Sequence, residues 1–169
     1  MIIRIIGISF VMVGCFAISR SLIATHRRTE NELRRLYNVL ERMEYELQYR
    51  CLPLPELLEK TIPDSGIIKE IIRFLLDELN GQVTPKVSTC VNIALGKVKN
   101  APEEVQRMIL RLGECIGQFD LENQVRGISN VRNECAILLD KYIDNQDNRL
   151  RSYQVLALCA GAAIVITLI

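Results

Sequence analysis

Apolar and polar positions alternate with helical spacing over most of the chain, and no run of strict period-2 alternation persists. From Arg27, the residues Leu33, Leu36, Leu40, Met43 and Leu47 step by three and four, which is a heptad seam. This predicts a long helix that stops near Cys51, because Pro53 and Pro55 in "CLPLPELL" forbid a continuing hydrogen-bond ladder. Pro55 is placed to open a short helix as its first residue, running to about Thr61 before Pro63. Ile68, Ile72, Leu75 and Leu79 form the next amphipathic face, closed by Asn80-Gly81. Thr84-Pro85 reads as a cap followed by the first residue of a fourth helix carrying Val87, Cys90, Val91, Ala94 and Val98. "NAPEEV" repeats that start signal for a fifth, with Pro102 at its first position, Glu103 and Glu104 favouring the N-terminus, and Val105, Met108, Ile109, Leu112 and Ile116 along it. After Asp120 a last seam runs Leu121, Val125, Ile128, Val131, Cys135, Leu138 and Tyr142, with no proline to stop it.

At both ends the polar positions vanish. "MIIRIIGISFVMVGCFAIS" from Met1 to Ser19 and "VLALCAGAAIVITLI" from Val155 to Ile169 hold no acid and one base, Arg4. At 1.5 Å per residue such blocks make roughly 22–27 Å of helix, slightly short of the hydrocarbon core of a bilayer and long enough to cross it with modest thinning. The expected organisation is an N-terminal transmembrane helix with a basic exit (1–24), an all-α domain (25–152) and a C-terminal transmembrane helix (153–169). The first and last long helices then pair antiparallel, and the short ones fill the far end. Val13-Gly14-Cys15 has the look of a lipoprotein processing site, but Met12 is a poor fit to the residue expected before it.

Charge orients this arrangement. Arg20, Arg27, Arg28, Arg34 and Arg35 follow the first block, and Lys141, Arg149 and Arg151 precede the second. Arg4 alone lies on the other side, so the middle domain is expected in the cytoplasm of a multi-pass cell-membrane protein. That middle carries all 20 Asp and Glu and 20 of the 21 Lys and Arg, which leaves no basic excess and argues against nucleic acid as a partner.

Candidate chemistry is sparse. The six cysteines, at 15, 51, 90, 115, 135 and 159, form neither a CxxC pair nor a metal-ligand spacing. The four outside the terminal blocks read as reduced thiols on apolar faces. Gly96-Lys97 lacks the other residues of a phosphate loop, since Val91 and Val98 stand where the first glycine and the hydroxyl belong. The one histidine, His26, lies among arginines. The expectation is a protein that is no enzyme, with no cofactor and no metal; Cys115 with Glu114 or Asp120 is the nearest thing to a nucleophile and lacks a neighbouring base.

The segment "LGECIGQFDLENQ" is left. Gly113 and Gly117 lie one turn apart and clear a stripe along which another helix can approach. Gly117 can supply a left-handed residue that ends a helix, and Asp120 can cap the next. The stretch therefore reads as a helix joint made by Leu112, Gly113, Glu114, Ile116, Gly117, Asp120 and Gln124.

The same residues carry a resemblance. Leu112-Gly113-x-x-Ile116-Gly117-x-x-Asp120-x-x-x-Gln124 is similar to the hallmark of the stage III sporulation protein AB family. The likeness extends to the terminal apolar blocks, the heptad helix and the Pro-Leu turn segment from Leu52 to Leu57. "GECIGQF" also resembles the Gly-Glu-x-x-Gly-x-Leu element of type II secretion platform proteins, with Phe119 in place of leucine. The resemblance implies a helical platform of the channel complex between mother cell and forespore, on the mother-cell side of the engulfment membranes. Its implied partners are a motor ATPase like stage III sporulation protein AA and other membrane proteins of the complex. It transfers no catalytic residue, and it leaves self-association of the chain and the transported material open. The docking face is expected at the distal end, from Pro53 to Pro102. The alternative is a two-span membrane sensor or adaptor with a helical ligand-binding domain, which the basic flanks of the middle domain disfavour.

Overall fold

In the computed structural model the backbone is described for residues 2–81, 86–117 and 120–168, and side chains for 24–81, 86–117 and 120–144. These residues form six helices and no strand: α1 (Ile2–Arg50), α2 (Leu54–Thr61), α3 (Ile67–Asn80), α4 (Val87–Lys97), α5 (Glu103–Cys115) and α6 (Leu121–Leu168). The fold is all-α, as the helical spacing predicts.

The chain divides into two compact units. One comprises residues 1–28 and 140–169, the other Thr29–Leu139. The expected transmembrane segments 1–24 and 153–169 belong to the first, where side chains are not described beyond Ala24–Arg28 and Asp140–Asp144. Among the described residues no helix is long and apolar enough to cross a membrane. In this unit His26 packs its ring against Tyr142, 5.7 Å between centroids at a 50° tilt.

The second unit is built on the predicted seam. Leu33, Leu36, Leu40, Met43 and Leu47 are all buried, with Val39 beside them. Leu57 and Leu58 of α2, Ile67, Ile68, Ile71, Ile72 and Leu75 of α3, Cys90, Val91 and Ala94 of α4, Val105, Met108, Ile109 and Leu112 of α5, and Ile128, Val131 and Cys135 of α6 join them in the core. Helices α1 and α6 run in antiparallel order: the Cys135 thiol donates to the Leu33 carbonyl at 3.5 Å, and Arg132 pairs with Glu44 at 2.8 Å. Both boundaries of the unit, Thr29 and Leu139, therefore lie toward one end of that pair. Leu121, the first residue of the α6 seam, is instead exposed, because it stands at the helix tip beyond the core.

The helix ends explain where the sequence-based boundaries move. α1 ends with Cys51, which adopts the left-handed conformation (φ 49°) and donates its N–H to the Leu47 carbonyl at 3.2 Å. This is the cap conformation that glycine usually supplies. It turns the Cys51 side chain to solvent, so this cysteine is not the core residue expected of it. α2 begins at Leu54, so Pro55 is its second residue, where its missing N–H costs nothing. Pro102 precedes α5 rather than opening it, because its ψ of 141° is extended and the helix starts at Glu103. α4 starts at Val87; Thr84 and Pro85 lie outside the described residues. Gly81 closes α3 in the right-handed region (φ −69°), still bonding its N–H to the Asp77 carbonyl at 3.0 Å.

The N-terminus of α3 is held from outside the helix. Gly66 precedes it at φ 99° and has no capping side chain. Glu32 of α1, only 4% exposed, accepts the Ile67 N–H at 3.1 Å and the Ile68 N–H at 3.4 Å, and is ion-paired with Arg35. A carboxylate suits orphan N–H groups at the positive end of a helix. Gly66 makes the approach possible, since a Cβ there would come within 2.8 Å of both Glu32 carboxylate oxygens.

Candidate functional site

Leu112 to Gln124 join the end of α5 to the start of α6, and three glycines set the distances. At Gly113, inside α5, a Cβ would stand 2.8 Å from Cγ2 of Val91 and 3.1 Å from its Cβ. Gly117, past the helix end, would place a Cβ 2.5 Å from Cγ2 of Val87. Val87 and Val91 are one turn apart on α4, so the two glycines seat successive valines of one neighbouring helix. Gly127, inside α6, does the same for α5: a Cβ there would lie 2.6 Å from the Cβ of Cys115 and 3.0 Å from its sulfur. The spacing of Gly113 and Gly117 marks the first two contacts in the sequence. Gly127 belongs to no spaced pair, and its only signal is a glycine in the middle of a helix that it weakens.

The turn follows from local chemistry. α5 stops at Cys115; Ile116 is buried in extended conformation (ψ 147°), its N–H bonded to the Leu112 carbonyl at 3.0 Å. Gly117 takes a positive φ of 85°, the region where glycine has no Cβ penalty. Asp120 starts α6. Its carboxylate accepts the Glu122 N–H at 3.1 Å and the Asn123 side-chain amide at 2.6 Å, and its carbonyl accepts the Gln124 N–H at 3.1 Å. This is the geometry of an N-cap. On the surface, Arg111 of α5 pairs with Glu134 of α6.

The seven residues thus divide by role. Leu112 and Ile116 enter the core, Gly113 is buried under Val91, Gly117 makes the corner and Asp120 caps α6. Glu114 is exposed and Gln124 half-buried at the start of α6.

The electrostatics here do not prepare a nucleophile. Burial, with the Glu114 charge added to it, pushes the Cys115 thiol up from its ordinary value, which favours the unreactive protonated form. Among the described residues no group of three or more His, Cys, Asp or Glu side chains could hold a metal ion. The core holds a void of about 20 Å³ bordered by side chains such as Leu36, Met43, Ile71, Ile109 and Ile116. At the size of one water and with wholly apolar walls, it suits neither water nor a cofactor.

The family model described as stage III sporulation protein AB matches residues 4–169. A solved structure of stage III sporulation protein AB superposes with a TM-score of 0.63 over 72% of this chain and 98% of its own, at 18% identity. At that identity the likeness speaks for the fold alone. No curated protein matches the chain.

Proposed function

The chain belongs to the stage III sporulation protein AB family, and on that premise we propose that it is a non-catalytic membrane platform of the sporulation channel complex between mother cell and forespore. Its terminal apolar segments anchor it, and its helical unit docks a cytoplasmic motor ATPase like stage III sporulation protein AA. The supporting observation is the antiparallel order of α1 and α6, seen in the Leu33–Cys135 and Glu44–Arg132 contacts. A bundle whose chain enters and leaves at one end can be tethered there by two apolar segments while presenting its other surfaces to a partner.

The test is binding of purified motor ATPase to the full chain in lipid nanodiscs, with and without ATP. The platform reading expects saturable binding. An absence of binding by a folded, fully helical chain would refute motor docking.

A further inference from the structure

Where the two long helices approach their terminal apolar blocks, charge is unevenly placed. The bordering stretches 20–28 and 140–151 hold six bases and three acids. Within them His26 of α1 meets Tyr142 of α6 ring to ring, 5.7 Å between centroids, which sets these two positions at one level. Two residues along a helix turn the side-chain direction by about 200°. Asp140 and Asp144, two residues either side of Tyr142, therefore lie across α6 from α1. Arg28, two residues past His26, lies across α1 from α6, and Arg27 stands on the flank between. The arginines and the aspartates thus face apart, and all four are exposed.

The next acids along α1 are engaged elsewhere. Glu30 pairs with Arg34 at 3.3 Å, and buried Glu32 pairs with Arg35 and caps α3. Seven of the described arginines are ion-paired, whereas Arg27 and Arg28 have no ion pair among the described residues. Position along the helix says which anion they would meet. α1 is continuous from Ile2 to Arg50, so Arg27 follows Ser19, the end of the apolar block, by about 12 Å at 1.5 Å per residue. A headgroup layer is about 5–8 Å deep, which leaves Arg27 inside the ~8 Å Debye length of physiological salt. The same level carries Tyr142, a residue type that favours the membrane interface, and Ile143, an apolar side chain 42% exposed. A guanidinium matches the oxygens of a phosphate with a fork of two donors.

We infer that Arg27 and Arg28 bind the headgroup phosphates of anionic phospholipids at the membrane surface, so that the chain gathers such lipids around its first helix. The inference rests on the membrane anchoring proposed above and adds a lipid preference that anchoring by apolar segments does not require.

The test uses the full chain in phosphatidylcholine vesicles holding a trace of spin-labelled lipid, and compares the motionally restricted fraction of labelled phosphatidylglycerol with that of labelled phosphatidylcholine. Resistance to alkaline carbonate extraction checks insertion, and circular dichroism checks the fold. The variants are Arg27→Gln combined with Arg28→Gln and, as a control, Arg73→Gln on the exposed side of α3; all three positions are exposed, so the helices should persist. The expected result is a preference of wild type for phosphatidylglycerol of about fivefold or more. It should be largely lost in the double variant, kept in the control and weakened by salt. Inorganic phosphate should compete no better than chloride at equal ionic strength; specific competition by phosphate would assign the arginines to a soluble anion and overturn the lipid assignment. An inserted wild type without preference, or an inserted double variant with the wild-type preference, would overturn the inference and leave the anchoring intact. A wild-type chain that carbonate extracts from the vesicles overturns both.

Discussion

Val91 of α4 occupies the space that a side chain on Gly113 of α5 would need: a Cβ there would stand 2.8 Å from its Cγ2. Val91 is only 1% exposed, so it has no solvent to turn into. Gly113→Ala therefore sets two effects against each other. Helix propensity gains roughly 0.5–1 kcal/mol, and overpacking of a closed core costs about 1–3 kcal/mol. Overpacking wins, and the variant should unfold at lower denaturant than wild type. Adding Val91→Ala makes room, so the double variant should lose less than the sum of the two single losses, by about 1 kcal/mol. Additive losses in a denaturant-midpoint cycle would show that this contact does not set the α4–α5 distance.

The corner after α5 should be as demanding. Gly117→Ala puts an ordinary residue at φ 85° and a methyl against Val87. The backbone alone should cost about 1–2 kcal/mol. At the other side of the corner, Asp120→Ala removes the cap of α6 and should cost about 1 kcal/mol, while Asp120→Asn keeps a capping oxygen and should cost less. Thermal melts of the three variants, ranked by midpoint, check this order.

Glu32 is the residue whose loss should reach furthest from its own helix. Glu32→Ala strips the two N–H groups that begin α3 of their acceptor and leaves Arg35 without its partner. Buried donors left unsatisfied cost about 1–3 kcal/mol. The loss should appear first as faster hydrogen exchange at Ile67 and Ile68, whose amides Glu32 protects. Unchanged exchange there would mean that Glu32 does not cap the helix.

These residues differ in how far the sequence discloses them. The seam from Leu33 to Leu47 is legible because burying one face of a helix imposes a period on its own residues. The corner at Gly117 and Asp120 is legible because turn and cap chemistry is local. Glu32 is not, since a glutamate on an amphipathic helix looks solvated until a helix 35 residues later presents its N-terminus. Gly127 is equally silent, because its reason for being small, Cys115, sits on another helix. Cys51 runs against expectation for a further reason: its backbone conformation, rather than its apolar side chain, fixes where it points. Pro102 shows the limit at boundaries, as a proline suits the residue before a helix as well as its first turn.

Thiol chemistry should separate the cysteines. Burial pushes Cys135 up from 9.0 to about 11, whereas Cys51 is exposed. Alkylation of the folded protein at mildly alkaline pH should modify Cys51 quickly and spare Cys135 until the chain unfolds. The raised value also makes stability depend on pH. The folded state holds this proton more tightly than the unfolded state, so the contribution is complete below the ordinary thiol range and is lost as pH rises from about 9 toward 11. Cys115, raised in the same direction, adds to that loss. Cys135→Ala should flatten the alkaline decline in unfolding free energy; an equal decline would assign it to other groups.

The platform account requires the helical unit and the motor to share a compartment. The most direct test is the side of the membrane on which that unit lies. In a chain whose six cysteines are replaced by serine, Lys60→Cys at the exposed end of α2 supplies a single label site. With a membrane-impermeant maleimide, the account predicts no labelling in intact cells and full labelling once the membrane is opened. Labelling in intact cells would put the unit outside the cytoplasm, beyond reach of an ATP-driven motor, and would contradict the account.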